Sequence, residues 1–338
     1  MRKEATLEQW KKLYDVAIKI KELQPWEHLW DLDIITLIIP GREMIYNSVM
    51  GRGRECYGIG SYISDKAINN FHNMLESKNF PIEQTIRFQD DDIIMCYFGS
   101  RDELTAKELK LIKDLGYKFR GKNNWIYFHS FKKGYAPFML DQEEVLLETE
   151  ILQHLYMSLN IYIIEGLKVD FENGRSLTRT WSEKEGLWMN FEAPLMRPEE
   201  KYLAPTIEDE DFKFEADIME TTEQIWELDI AYTSGAIKDK EYERPVSIRI
   251  CILAESKSGI MLDQDILTPD DNEASIILNM VSNQMFDLEK PSKILVRDKA
   301  TYYIIKDICN VAKIKLEIKE RLKTIDSFLR EFATGRFG

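Results

Sequence analysis

Apolar positions recur along the chain at two spacings, and these spacings predict its elements. Between Thr6 and Leu23 apolar residues return mostly at steps of three and four, which predicts one helix that ends before Pro25. Further helices are predicted over DKAINNFHNMLES and TAKELKLIKDLG, and a long helix is predicted from about Asp141 to Ile164. The stretches EQTIRFQ, DIIMCYFGS and NNWIYFHSF have the composition of strands. We therefore expect an α+β fold for the first half.

The region after residue 223 has a more specific order of elements. Three strand patterns come first: QIWELDIAYTS, PVSIRICILAES and IMLDQDIL. They are followed by a helix over 272–286, the strand KILVRD, a helix over 301–311, the strand IKLEIK and a helix over 324–332. Three consecutive antiparallel strands continued by alternating helices and strands predict a mixed sheet flanked by helices, and this is the ribonuclease H-like order.

A stretch rich in proline and acids separates the two regions. Residues 198–223, PEEKYLAPTIEDEDFKFEADIMETTE, suit a solvated connection better than a packed element. We therefore expect an α+β domain at residues 1–197, an acidic connection at 198–223 and an α/β ribonuclease H-like domain at 224–338. The hairpin pattern SLTRTWSEKEGLWMNFEAP just before the connection is not assigned to either domain by its sequence.

Composition narrows the classes of protein. The net charge of −14 works against unaided binding to nucleic acid, because that binding depends on Lys and Arg releasing counterions from phosphates. The four cysteines lie far apart without a CxxC pair, which predicts reduced thiols and no zinc site. The first residues do not form a signal peptide, and no segment has the ~20 apolar residues of a membrane span. We expect a cytoplasmic protein without membrane contact.

The acid-bearing patterns of the last third resemble the core of retroviral integrases and transposases. IWELDIA is similar to the first strand of that core, where a tryptophan and a strand-borne aspartate stand together. SGIMLDQDILTPDDNEASIILNM resembles the hairpin and helix that follow, and PSKILVRDKATYYIIKDICNVAKIKLE resembles the strand that ends in a second aspartate, with its helix and the next strand. The whole chain also resembles a family of uncharacterised bacterial proteins that join such a domain to an α+β N-terminal domain.

The resemblance implies a catalytic site of three carboxylates. Asp229 and Asp298 would be metal ligands, and a third ligand would lie on the last helix at Asp326 or Glu331, with Glu320 just before it. The implied cofactor is Mg²⁺ or Mn²⁺, since phosphodiester cleavage by two metals needs carboxylates that hold the ions ~4 Å apart.

Two features of the sequence oppose catalysis. Integrase-like enzymes usually carry a small or polar residue and a glycine after the second aspartate, whereas here Lys299 and Ala300 follow Asp298. No basic, aromatic-rich segment accompanies the C-terminal domain, so the sequence lacks a recognisable nucleic-acid-binding segment.

Each carboxylate also has a structural interpretation. Asp298 stands just before a helix, where it would serve as an N-cap, and Asp229 could lie on a solvated strand face. Asp263 and Asp265 alternate with apolar residues, which predicts exposure. Glu273 falls in the first turn of a helix, where the dipole favours an acid.

Other motifs carry less specific chemistry. VMGRGRECYGIGSY lacks the Lys-Ser/Thr of a P-loop and favours a glycine-turned hairpin over a phosphate cradle. His154 stands on an otherwise apolar helix, which favours a hydrogen-bonded interior or boundary histidine over a metal ligand.

The sequence leaves the question of enzymatic activity open. The first hypothesis is a cytosolic, non-catalytic or regulatory protein on a divergent ribonuclease H-like fold, binding a protein or nucleic-acid partner. The alternative is a Mg²⁺-dependent nuclease or phosphodiesterase of integrase type, and a third is a small-molecule enzyme in the N-terminal domain. Whether three carboxyl groups converge within metal-bridging distance separates the first two.

Overall fold

A computed structural model describes residues 2–334, with side chains described through residue 332. The chain packs as two compact units. Unit 1 consists of Met1–His72, Gln89–Lys133 and Pro137–Glu199, and unit 2 consists of Asn73–Phe88, Gly134–Ala136 and Glu200–Gly338. Two internal segments thus group with the C-terminal part, although the sequence pattern placed them inside a domain over 1–197.

The strands of unit 1 are β1 Ile35–Ile38, β2 Ile45–Met50, β3 Gly58–Tyr62, β4 Ile93–Gly99, β5 Trp125–Lys132, β7 Arg175–Ser182 and β8 Leu187–Pro194. They form a mixed sheet with the order β5-β4-β3-β2-β1-β7-β8. The neighbours are antiparallel except β1 and β7, which are parallel. The glycine-rich motif forms the predicted hairpin, β2–β3, and the unassigned hairpin is β7–β8 of this unit.

Four helices begin in unit 1: α1 Leu7–Glu22, α2 Asp65–Glu76, α3 Ala106–Asp114 and α4 Gln142–Ile163. Short 3₁₀ helices cover Pro25–Glu27, Arg101–Glu103 and Phe171–Asn173. Helices α1 and α4 contribute Leu13, Ala17, Leu152 and Leu155 to a single apolar core with the strands. The periodic spacing of these residues is what directs both helices onto the sheet.

The strands of unit 2 are β9 Ile225–Ile237, β10 Val246–Glu255, β11 Met261–Leu267, β12 Lys293–Val296 and β13 Lys315–Ile318. Strands β10, β9, β12 and β13 follow one another in this order, and β11 pairs with the other side of β10. Strands β9, β10 and β11 are antiparallel, and β12 is parallel to both β9 and β13. The short β6, Tyr135–Phe138, adds one pair between Tyr135 and Val246.

The helices of unit 2 cover the two faces of this sheet. They are α5 Glu210–Ile218, α6 Glu273–Leu288, α7 Lys299–Val311 and α8 Lys323–Thr334. Trp226 and Leu228 of β9 belong to the core formed with α6 and α7, whereas Ala231 belongs to the core formed with α8. Because side chains alternate along a strand, Glu227 and Asp229 share the α8 face with Ala231. The sheet register pairs Val296 with Leu228, so Arg297 follows level with Asp229.

The strand prediction for EQTIRFQ is wrong, since Ile82–Gln89 forms a 3₁₀ helix that starts after Pro81. Residues three apart eclipse one another in a 3₁₀ helix, so Gln84 and Arg87 lie on one side. The Gln84 amide donates to the Tyr232 carbonyl at 2.8 Å and accepts from the Tyr232 amide at 2.9 Å. These tertiary bonds favour the helical turn over the strand that the local pattern suggests.

The acidic stretch 198–223 contains the helix α5, which the sequence did not predict. Asp209 caps its first turn by accepting from the amides of Asp211 and Phe212. Ala216 is buried, and the Lys290 ammonium donates to its carbonyl at 2.9 Å. A domain boundary in this stretch stays a prediction.

The structure bears on two expectations from composition, the lack of a membrane-spanning helix and the state of the cysteines. Within residues 2–334, no helix combines the length and apolar character that a bilayer span requires. All four cysteines carry free thiols.

Candidate functional site

The buried carboxylate of Asp229, on β9, is the centre of an ionic network in unit 2. Its side chain is fully buried, with none of its surface exposed. One carboxylate oxygen, Oδ1, accepts from Arg87 Nη2 at 2.8 Å, and the other, Oδ2, accepts from Arg297 Nε at 2.6 Å. Both oxygens are therefore held by guanidinium groups. The expectation of a solvated strand face is wrong for this residue, because α8 covers that face of the sheet.

Arg297 connects Asp229 to the last helix. Its Nη2 donates to Asp326 Oδ1 at 2.5 Å, and its Nη1 donates to the Glu320 carbonyl at 2.5 Å. Together with the Nε bond to Asp229, each of its three nitrogens has an oxygen acceptor. Such bonds between charged groups are shorter and stronger than neutral ones.

Arg87 connects Asp229 to Asp298. Its Nη1 donates to Asp298 Oδ2 at 2.8 Å, and its Nη2 also donates to the Ile230 carbonyl at 2.6 Å. Burial alone would lower the pKa of Arg87, but the carboxylates of Asp229 and Asp298 outweigh it and raise that pKa above its usual value. The Phe80 ring covers both guanidinium groups, with its centroid 5.4 Å from Arg87 and 5.7 Å from Arg297.

Asp298 is the N-cap of α7, as its position before a helix predicts. Its Oδ1 accepts from the Thr301 amide at 2.8 Å, and its side chain is 35% exposed. The ion pair with Arg87 comes in addition to the cap and uses the other oxygen. Asp298 thus both caps α7 and pairs with Arg87, whereas the sequence offered an N-cap or a metal ligand and did not predict the ion pair.

The last helix contributes Asp326 rather than Glu331 to the network. Asp326 lies in the first turn of α8, and its Oδ2 accepts from the Leu322 amide at 3.2 Å. Glu331 is exposed near the other end of that helix. Glu320 takes part through its backbone carbonyl, while its carboxylate accepts from the Asn79 amide at 2.9 Å.

Glu227, two residues before Asp229, is a buried acid that the sequence analysis missed. Its Oε2 accepts from the amides of Thr324 and Ile325 at 2.9 and 3.1 Å, and its Oε1 accepts from the Ser256 hydroxyl at 2.7 Å. The carboxylate therefore caps α8 from the neighbouring strand. This bond helps to fix the start of the helix that carries Asp326.

The remaining acid candidates lie elsewhere in unit 2. Asp265 is exposed on β11, as predicted, and Asp263 is half-buried. Glu273, in the first turn of α6, forms an ion pair with the buried Arg249. His154 of unit 1 is half-buried and accepts a hydrogen bond from Arg179, which confirms the interpretation of a hydrogen-bonded boundary histidine.

The residues as placed do not fit a metal pair. A divalent cation at Asp229 would have to displace a guanidinium from one of its two oxygens and leave that arginine buried beside a second positive charge. Among the described residues 2–334, no three His, Cys, Asp or Glu side chains are arranged so that they could hold one ion. The assignment of Asp229 and Asp298 as metal ligands stays a prediction from the resemblance.

The two arginines were missed for different reasons. Arg297 stands in the sequence between the apolar run ILV and Asp298, and a charge at the end of a buried strand is itself a signal of a partner. Arg87 gives no such signal, because it lies on a 3₁₀ helix and its partner Asp229 is 142 residues away.

Two family models match the chain, and both describe domains of unknown function. DUF7309 matches residues 10–179, just over half of the chain, and DUF6930 matches residues 217–333. The chain belongs to the DUF7309 family. None of the curated proteins compared with the chain matches it.

Some solved structures are weakly similar to about a third of the chain. They include the catalytic core domain of HTLV-2 integrase in complex with magnesium, with a TM-score of 0.24 and 15% identity over 34% of this chain and 66% of that chain. A simian T-cell lymphotropic virus intasome in complex with the PP2A regulatory subunit B56 gamma gives a TM-score of 0.24 and 18% identity over 34% of this chain and 42% of that chain. This chain spans less than two thirds of either. Likeness of this degree assigns no activity.

Proposed function

We propose that this protein is a non-catalytic binding protein whose C-terminal unit is a divergent ribonuclease H-like domain. The observation that carries the proposal is the pair of buried guanidinium groups on both oxygens of Asp229. The strand order β11-β10-β9-β12-β13, with three antiparallel strands followed by two parallel ones, supports the fold assignment. A fold alone does not define an activity, so the function is inferred from the residues of the site.

Electrostatics explains why arginines in this place oppose a metal-dependent reaction. Asp229, Asp298 and Asp326 would repel one another if they stood alone, and either metal ions or internal cations could relieve that repulsion. Here Arg87 and Arg297 supply the positive charge through direct hydrogen bonds. Removing one member of a buried ion pair typically costs ~3–5 kcal/mol, so exchanging an arginine for a metal would start from a strongly unfavourable step.

We propose that the partner is a protein rather than a nucleic acid. The net charge of −14 repels phosphate backbones, and electrostatic attraction supplies most of non-specific nucleic-acid binding. An acidic protein that binds phosphate backbones needs a concentrated basic surface to overcome this repulsion.

The test compares melting temperatures and nuclease activity with and without Mn²⁺ for the wild-type protein and for Asp229→Asn. We expect that Mn²⁺ leaves the wild-type melting temperature unchanged. Single- and double-stranded DNA and RNA should stay intact, and the protein should not retard any of them in a gel. Asp229→Asn should melt at a lower temperature, because two buried guanidiniums lose their anion. A wild-type protein that is stabilised by Mn²⁺ and cleaves nucleic acid, with both properties lost in Asp229→Asn, would overturn the proposal in favour of the integrase-type nuclease.

A further inference from the structure

Arg179, in unit 1, is a buried cation whose environment differs from that of Arg87 and Arg297 in unit 2. It lies on β7, opposite Asn190 of β8, and only 8% of its surface is exposed. Its Nε donates to His154 Nδ1 on α4 at 3.2 Å, and its guanidinium lies over the Trp188 ring, 5.1 Å from the centroid. A neutral imidazole and an indole face are thus its neighbours, rather than a carboxylate.

Arg179 forms no ion pair with any described carboxylate of unit 1. No carboxylate of the described residues lies within ion-pair distance of it, and burial lowers the pKa of its guanidinium. Other arginines nearby in the sequence or fold are paired: Arg175 of the same strand with Glu192 at 3.1 Å, and Arg42 with Glu150 at 2.6 Å. Arg179 is the exception among them.

The polar groups around Arg179 offer hydrogen-bond donors. His154 accepts through Nδ1, which places the proton of the neutral ring on Nε2, and burial followed by the charge of Arg179 lowers the pKa of His154. Asn190 accepts from the Ser158 hydroxyl through Oδ1 at 3.0 Å, which leaves its Nδ2 as a donor. Within the described part of the chain, His154 Nε2, Asn190 Nδ2 and the two Nη groups of Arg179 have no hydrogen-bond acceptor.

A largely buried cation that has no carboxylate partner is a candidate site for an anionic ligand. The two Nη groups are not among the side-chain atoms that are fully enclosed without a partner, so solvent or a ligand reaches them. A guanidinium fork matches the paired oxygens of a carboxylate or phosphate. Trp188 and Trp181, in edge-to-face contact at 5.8 Å, give the site an apolar wall.

We propose that Arg179, His154 and Asn190 form a binding site for an anion that presents a carboxylate or phosphate group, between α4 and the β7–β8 hairpin. The inference uses residues of unit 1 alone, so it does not depend on the proposed role of unit 2. The bound oxyanion would accept from the Arg179 fork and from at least one of the two neutral donors.

The test follows the melting temperature of the full chain in sodium chloride, acetate and phosphate at equal ionic strength, and calorimetry measures the heat of binding of acetate and phosphate. We expect acetate or phosphate to raise the wild-type melting temperature above its value in chloride. The anion that gives the larger rise identifies the preferred group, carboxylate or phosphate. In Arg179→Met the anion effect should disappear, with binding weakened about tenfold or more, because the charge-assisted bonds from the guanidinium fork are lost. In chloride, Arg179→Met should melt at the wild-type temperature or above it, because the unbalanced charge is gone.

Arg175→Met is the matched control, since it removes an arginine of the same strand that already has a carboxylate partner. It should keep the full anion response. If Arg179→Met does not fold, Arg179→Lys keeps the charge without the fork and should fold with a weaker phosphate response. A wild-type protein indifferent to both anions, or an undiminished response in the Arg179 variants, would show that the site does not bind anions.

Discussion

The buried arginines of the two units behave in opposite ways. In unit 2, Arg87 and Arg297 stand among the carboxylates of Asp229, Asp298 and Asp326, and each guanidinium has at least two charged or carbonyl acceptors. In unit 1, Arg179 has an imidazole and an aromatic ring as neighbours. The comparison separates two uses of one residue type. A paired cation cannot be removed without leaving its carboxylates uncompensated, whereas a cation without a carboxylate partner points to a ligand.

The largest expected effect is on the unfolding free energy of Asp229→Asn. Asparagine keeps the shape of the side chain but removes the charge shared by Arg87 and Arg297, so we expect a loss of ~3–5 kcal/mol. Urea unfolding followed by circular dichroism measures it. Asp265→Asn, on the exposed surface of β11, is the control and should change stability by less than ~0.5 kcal/mol. Equal effects of the two variants would mean that the network adds nothing to the fold.

A second prediction concerns the cap that Glu227 provides for α8. Glu227→Ala leaves two amides of the helix start, Thr324 and Ile325, buried without an acceptor, and should cost ~2–3 kcal/mol. Glu227→Gln keeps an oxygen acceptor and should cost clearly less. The order of the two variants in urea unfolding tests the cap. A glutamine variant as unstable as the alanine variant would show that the charge matters and the hydrogen-bond acceptor does not.

The third prediction concerns an ionisable group that unit 1 buries without an ion pair. Glu148 is fully buried, and its Oε2 has no hydrogen-bond partner among the described residues. Burial raises the pKa of Glu148 well above its ordinary value, against a smaller opposite effect of the Ser61 hydroxyl. The folded state therefore keeps a proton that the unfolded chain loses above its ordinary pKa of about 4.5, so stability should fall as the pH rises from there toward the raised pKa.

Glu148→Gln removes this titration. We expect it to match the wild-type protein near pH 4 and to exceed it at pH 8 by on the order of 1 kcal/mol or more, since one pKa unit corresponds to about 1.4 kcal/mol. Thermal melts across this pH range measure the difference. A difference between the two proteins that does not change with pH would contradict the buried, protonated state.

The smallest effect is expected at Asp298, which makes one N-cap hydrogen bond and one ion pair with Arg87. Asp298→Asn keeps the cap and loses a partly exposed ion pair with Arg87, so it should cost less than ~1 kcal/mol. Asp298→Ala also loses the cap and should cost ~1 kcal/mol more. Melting temperatures of both variants resolve the two contributions. An asparagine variant as unstable as the alanine variant would assign the whole effect to the ion pair.

Much of unit 2 could be predicted from local patterns. The order of its strands and helices follows from hydrophobic spacing, and the resemblance to integrase cores grouped Asp229 and Asp298 with either Asp326 or Glu331. The charges that balance them could not be predicted, because Arg87 lies on a turn whose conformation depends on hydrogen bonds to β9 rather than on its own sequence. Helix α5 was missed for a similar reason, since burial of Ala216 and the bond from Lys290 outweigh the repulsion of its acids.

The 3₁₀ helix Ile82–Gln89 also has a consequence for aggregation. β12 pairs with β9 only as far as Leu228, although β9 continues to Ile237 and would offer open backbone groups to any extended chain in solution. Arg87 occupies the carbonyl of Ile230 and Gln84 occupies both backbone groups of Tyr232, each from the same side of the 3₁₀ helix. Two side chains thus take the place of a neighbouring strand, and a foreign strand could pair there only by breaking three bonds that the folded chain already makes.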